Sequence, residues 1–316
     1  MTENLKLLAL FSGCGGKDLG FRGDFTYLNK YYERLPYDLV WANDIEEKAC
    51  ETYKENVSNH IVPGDILEVK KKKIPSCNVV IGGFPCQDFS VAGKRRGTGT
   101  DRGNLYIEMR DIIKKKKPEF FVAENVGGLL NIRNEEGLII DQIIKSFEEL
   151  KYDVTYWYLN AADFGVPQSR RRVFIVGFKK SLKIKITPPN PPEILVKHVT
   201  AKEALDDLLW KNKDLPNQDQ YSKARNYGIK CQGNKAILAN APSPTIRAEH
   251  HGNIEFHYSE ERRLTIRECA RLQSFPDDFI FKGSTSNAYK QVGNAVPPVL
   301  AWHIAKHLYE LYEKRP

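Results

Sequence analysis

The sequence has no long apolar run, and this absence excludes a membrane-spanning helix, which needs about 20 consecutive apolar residues. It also has no internal repeat and no low-complexity segment. At 316 residues the chain is long enough for one large α/β domain and a smaller one. The start, MTENLKLLALF, does not resemble a signal peptide, because an acid comes early and the short apolar stretch ends in glycines. We interpret it as a first strand and expect no membrane partner.

The six cysteines include no C-x-x-C pair of the kind that binds zinc, and no two lie within four positions of each other. A disulfide framework is not expected either, because the chain has enough core-forming sequence without one. The composition indicates a reducing, cytoplasmic interior, where a cysteine serves packing or chemistry. We expect packing for Cys14, Cys50, Cys77, Cys231 and Cys269.

The formal net charge is +8 and the pI is near 9.0, which is compatible with a polyanionic partner. Charge alone is weak evidence, because many basic proteins bind nothing acidic. The lysine runs 70–73 and 114–117 lie beside prolines, at expected helix ends or loops. We interpret both runs as solvated surface rather than as phosphate contacts.

Short β-rich runs alternate with helical spacing through the first half of the chain. The strand predictions are 5–11, 37–45, 78–84, 119–126, 152–160 and 172–180. The helix predictions are 46–57, 104–117 and 138–150. This alternation predicts βαβ units and an α/β fold with a Rossmann-like, doubly wound, mostly parallel sheet.

The character of the sequence changes near residue 181. The proline-rich stretch 186–194 cannot lie inside a sheet and is interpreted as a linker. Residues from there to about 284 are polar and rich in turn formers, with short helical pieces at 201–210 and 265–273. These features predict a second, smaller domain of irregular structure.

The predicted organisation is a first domain of residues 1–180 plus 285–316 and a second of residues 181–284. The tail is predicted to form a helix that returns to the first domain, because its apolar residues mark one face. That face consists of Val296, Leu300, Ile304, Leu308 and Leu311.

A glycine-rich turn, LFSGCGGKDLGF at 10–21, follows the first predicted strand. It does not match the G-x-G-x-x-G dinucleotide fingerprint, because Asp18 occupies the third position. A nucleoside cofactor without a pyrophosphate remains open. Asp44 ends the next strand, where a ribose diol could be held, and Asp65 follows at another strand edge. Each acid alone is more often a helix cap, but together they favour a cofactor cleft.

The segment 24–37 separates the glycine turn from Asp44 by more than the roughly 20 residues expected of a compact unit. It is interpreted either as a lengthened helix contact or as an extra loop that touches a nucleic acid.

Cys86 lies in GGFPCQDFS, at the carboxyl end of the strand predicted at 78–84. A thiol at such an edge can act as a nucleophile if a cation or a helix N-terminus lowers its pKa. The following stretch, 90–104, has the glycine and basic residues of a mobile lid. Glu124 ends another strand at the same edge and could donate a proton to a substrate ring nitrogen.

Three consecutive arginines occur in PQSRRRVF, which leads into a strand. Alternation along that strand predicts that Arg170 and Arg172 point to one side and Arg171 to the other. Three arginines by themselves more often form a salt-bridged surface.

The order of these motifs resembles that of the DNA cytosine-5 methyltransferases of prokaryotic restriction–modification type. The resemblance is carried by LFSGCGG, GGFPCQDFS, ENV, QSRRR, RLTIRECARLQSFPDDF at 263–279 and YKQVGNAVPP at 289–298. It spans nearly the whole chain except about 181–258. It implies methyl transfer from S-adenosylmethionine to cytosine carbon 5, leaving S-adenosylhomocysteine as the product.

The resemblance also implies catalytic roles. Cys86 would attack carbon 6 of the base, and Glu124 would bind and protonate the ring nitrogen and orient the exocyclic amine. Arg172 would hold the base oxygen, while Arg170 supports the pocket and Cys86.

For the cofactor, the resemblance implies adenine stacking by Phe11, ribose binding by Asp44 and recognition of the adenine amino group by Asp65. The remaining residues of this implied pocket are Ser12, Gly13, Gly15, Ile45, Ile66, Leu105 and Asn294. No metal is implied, because the histidines of the small domain lack the spacing and companions of a metal site.

Double-stranded DNA is the implied substrate, and the cytosine must be flipped out of the duplex to react. The expected DNA contacts near the active site are Gln87, Ser90, Lys94, Arg95, Arg96, Arg102 and Gln168. Those expected in the target-recognition domain are Thr245, Arg247, His250 and His251. Any single polar residue in that domain is more often a phosphate contact or a turn former than a base reader.

A tRNA cytosine-5 methyltransferase is the alternative, since such a relative uses the same chemistry. It typically carries a Cys-Phe-Thr signature in its small domain, and this chain has none. We expect a cytoplasmic monomer that protects host DNA, with a cognate restriction endonuclease acting on the same site without direct contact.

Overall fold

A computed structural model describes residues 4–84, 105–192, 197–210, 214–224, 233–248 and 251–316. Its strands are β1 (Leu5–Leu10), β2 (Phe25–Tyr27), β3 (Lys30–Tyr32), β4 (Tyr37–Asp44), β5 (Ile61–Pro63), β6 (Val79–Gly83), β7 (Phe120–Val126), β8 (Arg133–Asn134), β9 (Gly137–Leu138), β10 (Tyr152–Asn160) and β11 (Arg171–Lys179). Its α-helices are α1 (Gly16–Arg22), α2 (Glu47–Asn56), α3 (Leu105–Lys116), α4 (Ile139–Glu148), α5 (Ala201–Trp210), α6 (Ile266–Leu272), α7 (Thr285–Asn294) and α8 (Pro298–Glu313).

Seven strands form one sheet in the order β10-β11-β7-β6-β1-β4-β5. The strands from β7 to β5 pair in parallel, while β11 is antiparallel to both of its neighbours. The prediction of a doubly wound, mostly parallel sheet is confirmed, and each of the six predicted strands is present within a residue or two. The sequence reading missed β5, because it is a three-residue edge strand that ends in Pro63.

Both faces of the sheet are covered, which is why its central strands are continuous apolar runs. In β1, Leu7 packs in a core with α1 and α8, while Leu8 packs in a second core with α3 and α4. Both leucines are fully buried. Each contributes about 2 kcal/mol of hydrophobic stabilisation, so the register of this strand is strongly determined.

The tail forms the predicted helix, α8, and this helix packs against α1. A Cβ atom at Gly20 would lie within 2.5 Å of the Pro298 carbonyl oxygen, so glycine permits this close approach. Leu300, Ile304 and Leu308 are buried in the same contact region. The helix therefore completes the first core.

The inserted segment 24–37 contains the hairpin of β2 and β3. The hydroxyl of Tyr27 donates to the Arg271 carbonyl at 2.7 Å, and the indole of Trp302 donates to the Glu33 carbonyl at 2.9 Å. These bonds connect the hairpin to α6 and α8. Of the two interpretations of this segment, the structure supports the helix contact.

The second half has the irregular structure and the two short helices that the sequence predicts. Helix α6 begins with a capping box, in which Thr265 accepts from the Glu268 amide and the Glu268 carboxylate accepts from the Thr265 amide. Ala201, Ile246 and Leu264 belong to the same apolar cluster as Leu300 of α8. The division into domains at 181 and 284 stays a prediction.

Candidate active site

A cavity of about 530 Å³ lies at the carboxyl edge of the sheet. Parallel strands β1, β4, β6 and β7 end at this edge, and antiparallel β11 begins there, so all five contribute residues. The volume suits a ligand of nucleoside size. Of the predicted site residues, the cavity wall contains Phe11, Ser12, Gly13, Asp44, Ile45, Asp65, Ile66, Leu105, Glu124, Arg170, Arg172 and Asn294.

The turn between β1 and α1 carries two glycines in the left-handed region. Gly13 has φ of 56° and no heavy atom within 4 Å of the place where a Cβ would be, so its backbone faces open space. Gly15 has φ of 93° and precedes α1, but it is not part of the cavity wall. A Cβ atom at Gly15 would meet Val57 and Tyr53 at 2.7 and 2.8 Å. Gly15 therefore serves the packing of the turn against α2.

The Asp44 carboxylate is held by backbone amides: Gly13 donates to it at 2.6 Å and Glu46 at 2.9 Å. Burial raises the pKa of Asp44, and the two amide hydrogen bonds oppose that shift. The Asp65 carboxylate accepts from the Leu67 amide at 3.0 Å and caps a single 3-10 turn. Asp65 is thus a cap and a cavity residue at once, whereas Asp44 is a cavity residue that accepts from the turns on either side of it.

These residues fit a nucleoside. The carboxylates of Asp44 and Asp65 can accept hydrogen bonds from hydroxyl or amino groups of a ligand. Ile45, which is 58% exposed, lies in the same cavity wall. Phe11 supplies an aromatic ring, and Gly13 and Gly64 leave space that a Cβ would fill. The donor and acceptor set therefore suits the adenosine part of S-adenosylmethionine.

The opposite end of the cavity contains an ion pair. The Arg172 Nε atom lies 3.1 Å from Glu124 Oε1, and the two side chains are 13% and 14% exposed. Burial lowers the pKa of Arg172, and Glu124 acts against this shift. A Cβ atom at Gly83 would lie 3.0 Å from Glu124 Oε2, so glycine allows the carboxylate to approach β6. The prediction that Arg171 points away from Arg170 and Arg172 agrees with its absence from the cavity wall.

Arg170 is fully buried and connects distant segments. Its guanidinium donates to the Ile246 carbonyl at 3.0 Å and to the Gly293 carbonyl at 2.7 Å. Burial lowers the pKa of Arg170, with the charge of Arg172 as a second cause. Gly293 precedes Asn294, so Arg170 fixes the end of α7 at the cavity.

Gln168 requires a correction. It was predicted to contact DNA, but its side chain is fully buried and its groups are used inside the protein. Its amide nitrogen donates to Gln273 and to the Leu272 carbonyl, and its oxygen accepts from the Ile246 amide at 3.0 Å. A side chain in this position holds the recognition segment and offers nothing to DNA.

Gln273 is a residue that the sequence reasoning missed. It is fully buried, bonds Gln168, and donates to the carbonyls of Val292 and Ala295 at 3.1 and 2.6 Å. It thereby holds the segment that carries Asn294. Gln273 lies in the motif RLQSFP, which contributed only to the family resemblance. Helical periodicity could not reveal its role, because periodicity does not show which side chain bonds to the end of a distant helix.

Several predicted residues fall outside the described part of the chain. These are Cys86, Gln87, Ser90, Lys94, Arg95, Arg96, Arg102 and His250. His251 begins a 3-10 turn that ends at Asn253. Thr245 donates to the Ser169 carbonyl at 2.7 Å, and Arg247 is exposed.

The four cysteines in the described ranges agree with the packing interpretation. Burial raises the pKa of Cys14, Cys50 and Cys77 to about 12 and also raises the pKa of Cys269. These thiols stay protonated at neutral pH, so none of them is an activated nucleophile.

Within the ranges that the structure describes, no helix combines the length and apolar character needed to cross a bilayer. No cluster of three or more histidine, cysteine or acidic side chains with the geometry of a metal site occurs among those residues.

Comparison with known proteins extends these observations. The profile of the C-5 cytosine-specific DNA methylases matches residues 5–310. Type II methyltransferase M.NgoFVII of Neisseria gonorrhoeae is 38% identical over 338 residues, covering 97% of this chain and 87% of that protein. Type II methyltransferase M.FnuDI of Fusobacterium nucleatum is also 38% identical, over 346 residues that cover 97% of this chain and 94% of that protein.

Solved structures share the fold. The crystal structure of the S. pombe Dnmt2 methyltransferase has a TM-score of 0.63 at 19% identity, covering 98% of this chain and 99% of that chain. Together with the cavity and its Glu124–Arg172 pair, the match over nearly the whole chain leads to one conclusion. The chain belongs to the C-5 cytosine-specific DNA methylases and is a DNA (cytosine-5-)-methyltransferase, an activity that in this family depends on S-adenosylmethionine.

Proposed function

We propose that this enzyme is the methyltransferase of a type II restriction–modification system and methylates carbon 5 of a flipped-out cytosine in a specific double-stranded DNA site. The observation that carries this proposal is the Glu124–Arg172 pair, which lies in the same cavity as Asp44 and Asp65. An acid and a cation suited to a pyrimidine edge thus share a cavity with groups suited to a nucleoside.

In this proposal S-adenosylmethionine occupies the Asp44 end and supplies the methyl group. Asp44 binds the ribose hydroxyls, Asp65 binds the adenine amino group, and Phe11 stacks on the adenine. Ile45 and Ile66 flank the ring, and Ser12, Gly13, Leu105 and Asn294 complete the pocket. Gly15 acts indirectly: it packs the glycine turn against α2 and does not face the cavity. No metal takes part.

Cytosine carbon 5 is a weak nucleophile, so the reaction needs covalent activation. The Cys86 thiolate attacks carbon 6, and its electron pair forms the new carbon–sulfur bond. Glu124 donates a proton to the ring nitrogen, which makes carbon 5 nucleophilic. After methylation, a base removes the carbon 5 proton, and that electron pair forms the carbon 5–carbon 6 double bond as the carbon–sulfur bond breaks and the cysteine leaves as thiolate. The Glu124 carboxylate takes back the ring-nitrogen proton, which restores a neutral base.

The ion pair supports these roles. Glu124 Oε1 bonds Arg172, while Glu124 Oε2 is directed towards Gly83 at the end of β6. Gly83 is three residues before Cys86 in the chain. Arg172 is available to hold the oxygen of the base. Arg170 has one nitrogen, Nε, that is buried without a partner among the described residues, and this atom can support the segment of Cys86.

Substrate recognition follows the predicted division into residues 1–180 plus 285–316 and 181–284. The lid after Cys86 closes over the flipped base, and its basic residues contact phosphates. Thr245, Arg247, His250 and His251 of the smaller domain face the DNA. The enzyme acts as a cytoplasmic monomer, and a separate endonuclease recognises the same site.

The first test is methyl transfer from labelled S-adenosylmethionine to DNA and to tRNA, with the Cys86→Ser variant alongside. We expect label in DNA only, and none with the variant. Bisulfite sequencing of DNA from cells expressing the protein then identifies the site. Absence of label in every DNA offered rejects the function, and label in tRNA supports the alternative.

The second test uses DNA containing 5-fluorocytosine. The fluorine cannot leave as a proton does, so the enzyme is expected to remain covalently attached to the base. Denaturing gel electrophoresis detects the adduct. If the Cys86→Ala variant still forms it, Cys86 is not the nucleophile.

A further inference from the structure

A tyrosine and an arginine lie together beside the mouth of the cavity. The ring of Tyr158 covers Gly127, where a Cβ atom would come 2.7 Å from the tyrosine hydroxyl oxygen. The guanidinium carbon of Arg171 is 6.0 Å from the centre of the same ring. Val126, which precedes Gly127, lines the cavity. Tyr158 and Arg171, which we term the rim pair, therefore lie at its edge.

The rim pair and the ion pair occupy opposite faces of the sheet. Tyr158 is opposite Val173 in the antiparallel register, and alternation puts Arg171 on the same face as Val173. Arg172 is on the other face, with Glu124. The two pairs thus flank the same edge of the sheet from its two sides.

The rim pair is accessible and carries positive charge. Tyr158 is 47% exposed. Arg171 is exposed, and no acidic side chain in the described ranges forms an ion pair with it. An arginine in this state retains its capacity to pair with an external anion.

We propose that the rim pair binds a backbone phosphate of the DNA next to the flipped cytosine. The Arg171 guanidinium pairs with the phosphate, and the Tyr158 ring holds the guanidinium in place through a cation–π contact. This rests on the proposed function, because DNA must cross the mouth of the cavity for a cytosine to reach Glu124.

The surrounding surface favours DNA over a protein partner. Strand β10 is an edge strand and also exposes Tyr156, at 42%, on the same face as Tyr158. A protein docked on this edge would engage both tyrosines. A phosphate at the cavity mouth engages only Tyr158 and Arg171, since Tyr156 lies farther along the strand, away from the carboxyl edge.

The test measures binding of duplex DNA as a function of salt for the wild type and for Arg171→Ala, Tyr158→Ala and Tyr158→Phe. We expect Arg171→Ala to weaken binding about fivefold at moderate salt and to reduce the salt slope by about one, as loss of one phosphate contact does. Tyr158→Ala weakens binding less, and Tyr158→Phe, which retains the ring, binds as the wild type does.

Two variants serve as matched controls. Lys180→Ala removes the same charge at the far end of β11, where the Lys180 ammonium lies 4.0 Å from Asp153. Tyr156→Ala removes the neighbouring exposed ring. Both are expected to retain the wild-type salt slope. The kcat at saturating DNA should be the same for Lys180→Ala and wild type, because Lys180 lies far from the cavity.

Equal salt slopes for Arg171→Ala, Lys180→Ala and wild type would overturn the proposal. Equal losses from Tyr156→Ala and Tyr158→Ala would also overturn it and would indicate a protein surface on β10. Wild-type methyl transfer to the same DNA is measured in parallel. If it occurs while the rim variants bind normally, only this inference fails; if it is absent, the function itself fails.

Discussion

The carboxyl edge of the sheet and the irregular segment from 197 to 284 are stabilised by different kinds of bond. At the edge, backbone ladders set the positions of Asp44, Glu124 and Arg172, because each residue lies at or near the end of a paired strand. Apart from its two short helices, the described part of the irregular segment pairs its backbone with other strands only at isolated β-bridges. Side chains must therefore satisfy many of its buried carbonyl groups.

Three arginines, each four residues after the last, fulfil this task around α6. Arg263 donates to the Ala224 and Gly233 carbonyls at 3.0 and 2.6 Å. Arg267 donates to the carbonyls of Pro216 and Pro276 at 3.0 and 2.7 Å, and to that of Phe279. Arg271 donates to the Ala204 carbonyl and pairs with Asp207 and Asp277.

The comparison teaches how a region of irregular structure can be attached to a regular sheet. A guanidinium offers five donors in a planar arrangement, so one side chain can hold several loops without requiring regular secondary structure. The acidic partners raise the pKa of Arg271, and burial lowers that of Arg267 to about 10, so both remain charged at neutral pH.

The largest expected effect is on the reaction at the carboxyl edge of the sheet, with the fold left intact. Glu124→Gln should lower kcat by about a thousandfold, because the amide cannot donate the proton but still bonds Arg172. Labelled methyl transfer measures the loss, and thermal unfolding verifies the fold.

The matched control is Glu119→Gln, which changes a carboxylate 2.8 Å from Lys179 at the far end of the same strand pair. Its kcat should equal that of the wild type. A Glu124→Gln enzyme with near-normal kcat would exclude Glu124 as the proton donor.

The next largest expected effect is on stability, when an arginine that anchors the irregular segment is replaced. Arg267→Met should lower the free energy of unfolding by about 3 kcal/mol, since it leaves three carbonyls buried without donors. Urea unfolding measures the change. Arg34→Met, at an exposed pair with Asp38, should cost less than about 1 kcal/mol. Equal losses from the two variants would refute the anchoring role.

A smaller effect, on cofactor binding, is expected where the irregular segment meets the carboxyl edge of the sheet. Gln273→Leu removes the bonds to Val292 and Ala295 and should raise the Kd of S-adenosylmethionine about tenfold by loosening Asn294. Calorimetric titration gives the Kd. Gln142→Leu, which breaks a surface bond to Asn134, should leave it unchanged. An unaltered Kd for Gln273→Leu would show that this amide serves stability alone.

Much of the edge could be predicted, because strands reveal themselves by apolar runs and a parallel sheet puts their ends together. The positions of Asp44, Asp65 and Glu124 in one cavity follow from that rule. The prediction for Gln168 failed, since a polar residue beside an active site looks the same in sequence whether it faces DNA or a neighbouring glutamine. The hairpin at β2 and β3 was likewise recognised as an insert without its partner being identified.

Sequence alone determined the order of the six long strands and the main helices between them, the glycine turn and the motif pattern, because these depend on local spacing and on periodic burial. Only the tertiary structure decided that Arg170, Gln168 and Gln273 join the end of α7 to the recognition segment. It also decided that Arg171 lies with Tyr158 on the far face of the edge. Such contacts join residues far apart in the chain, and their hydrogen bonds depend on side-chain positions that no local pattern encodes.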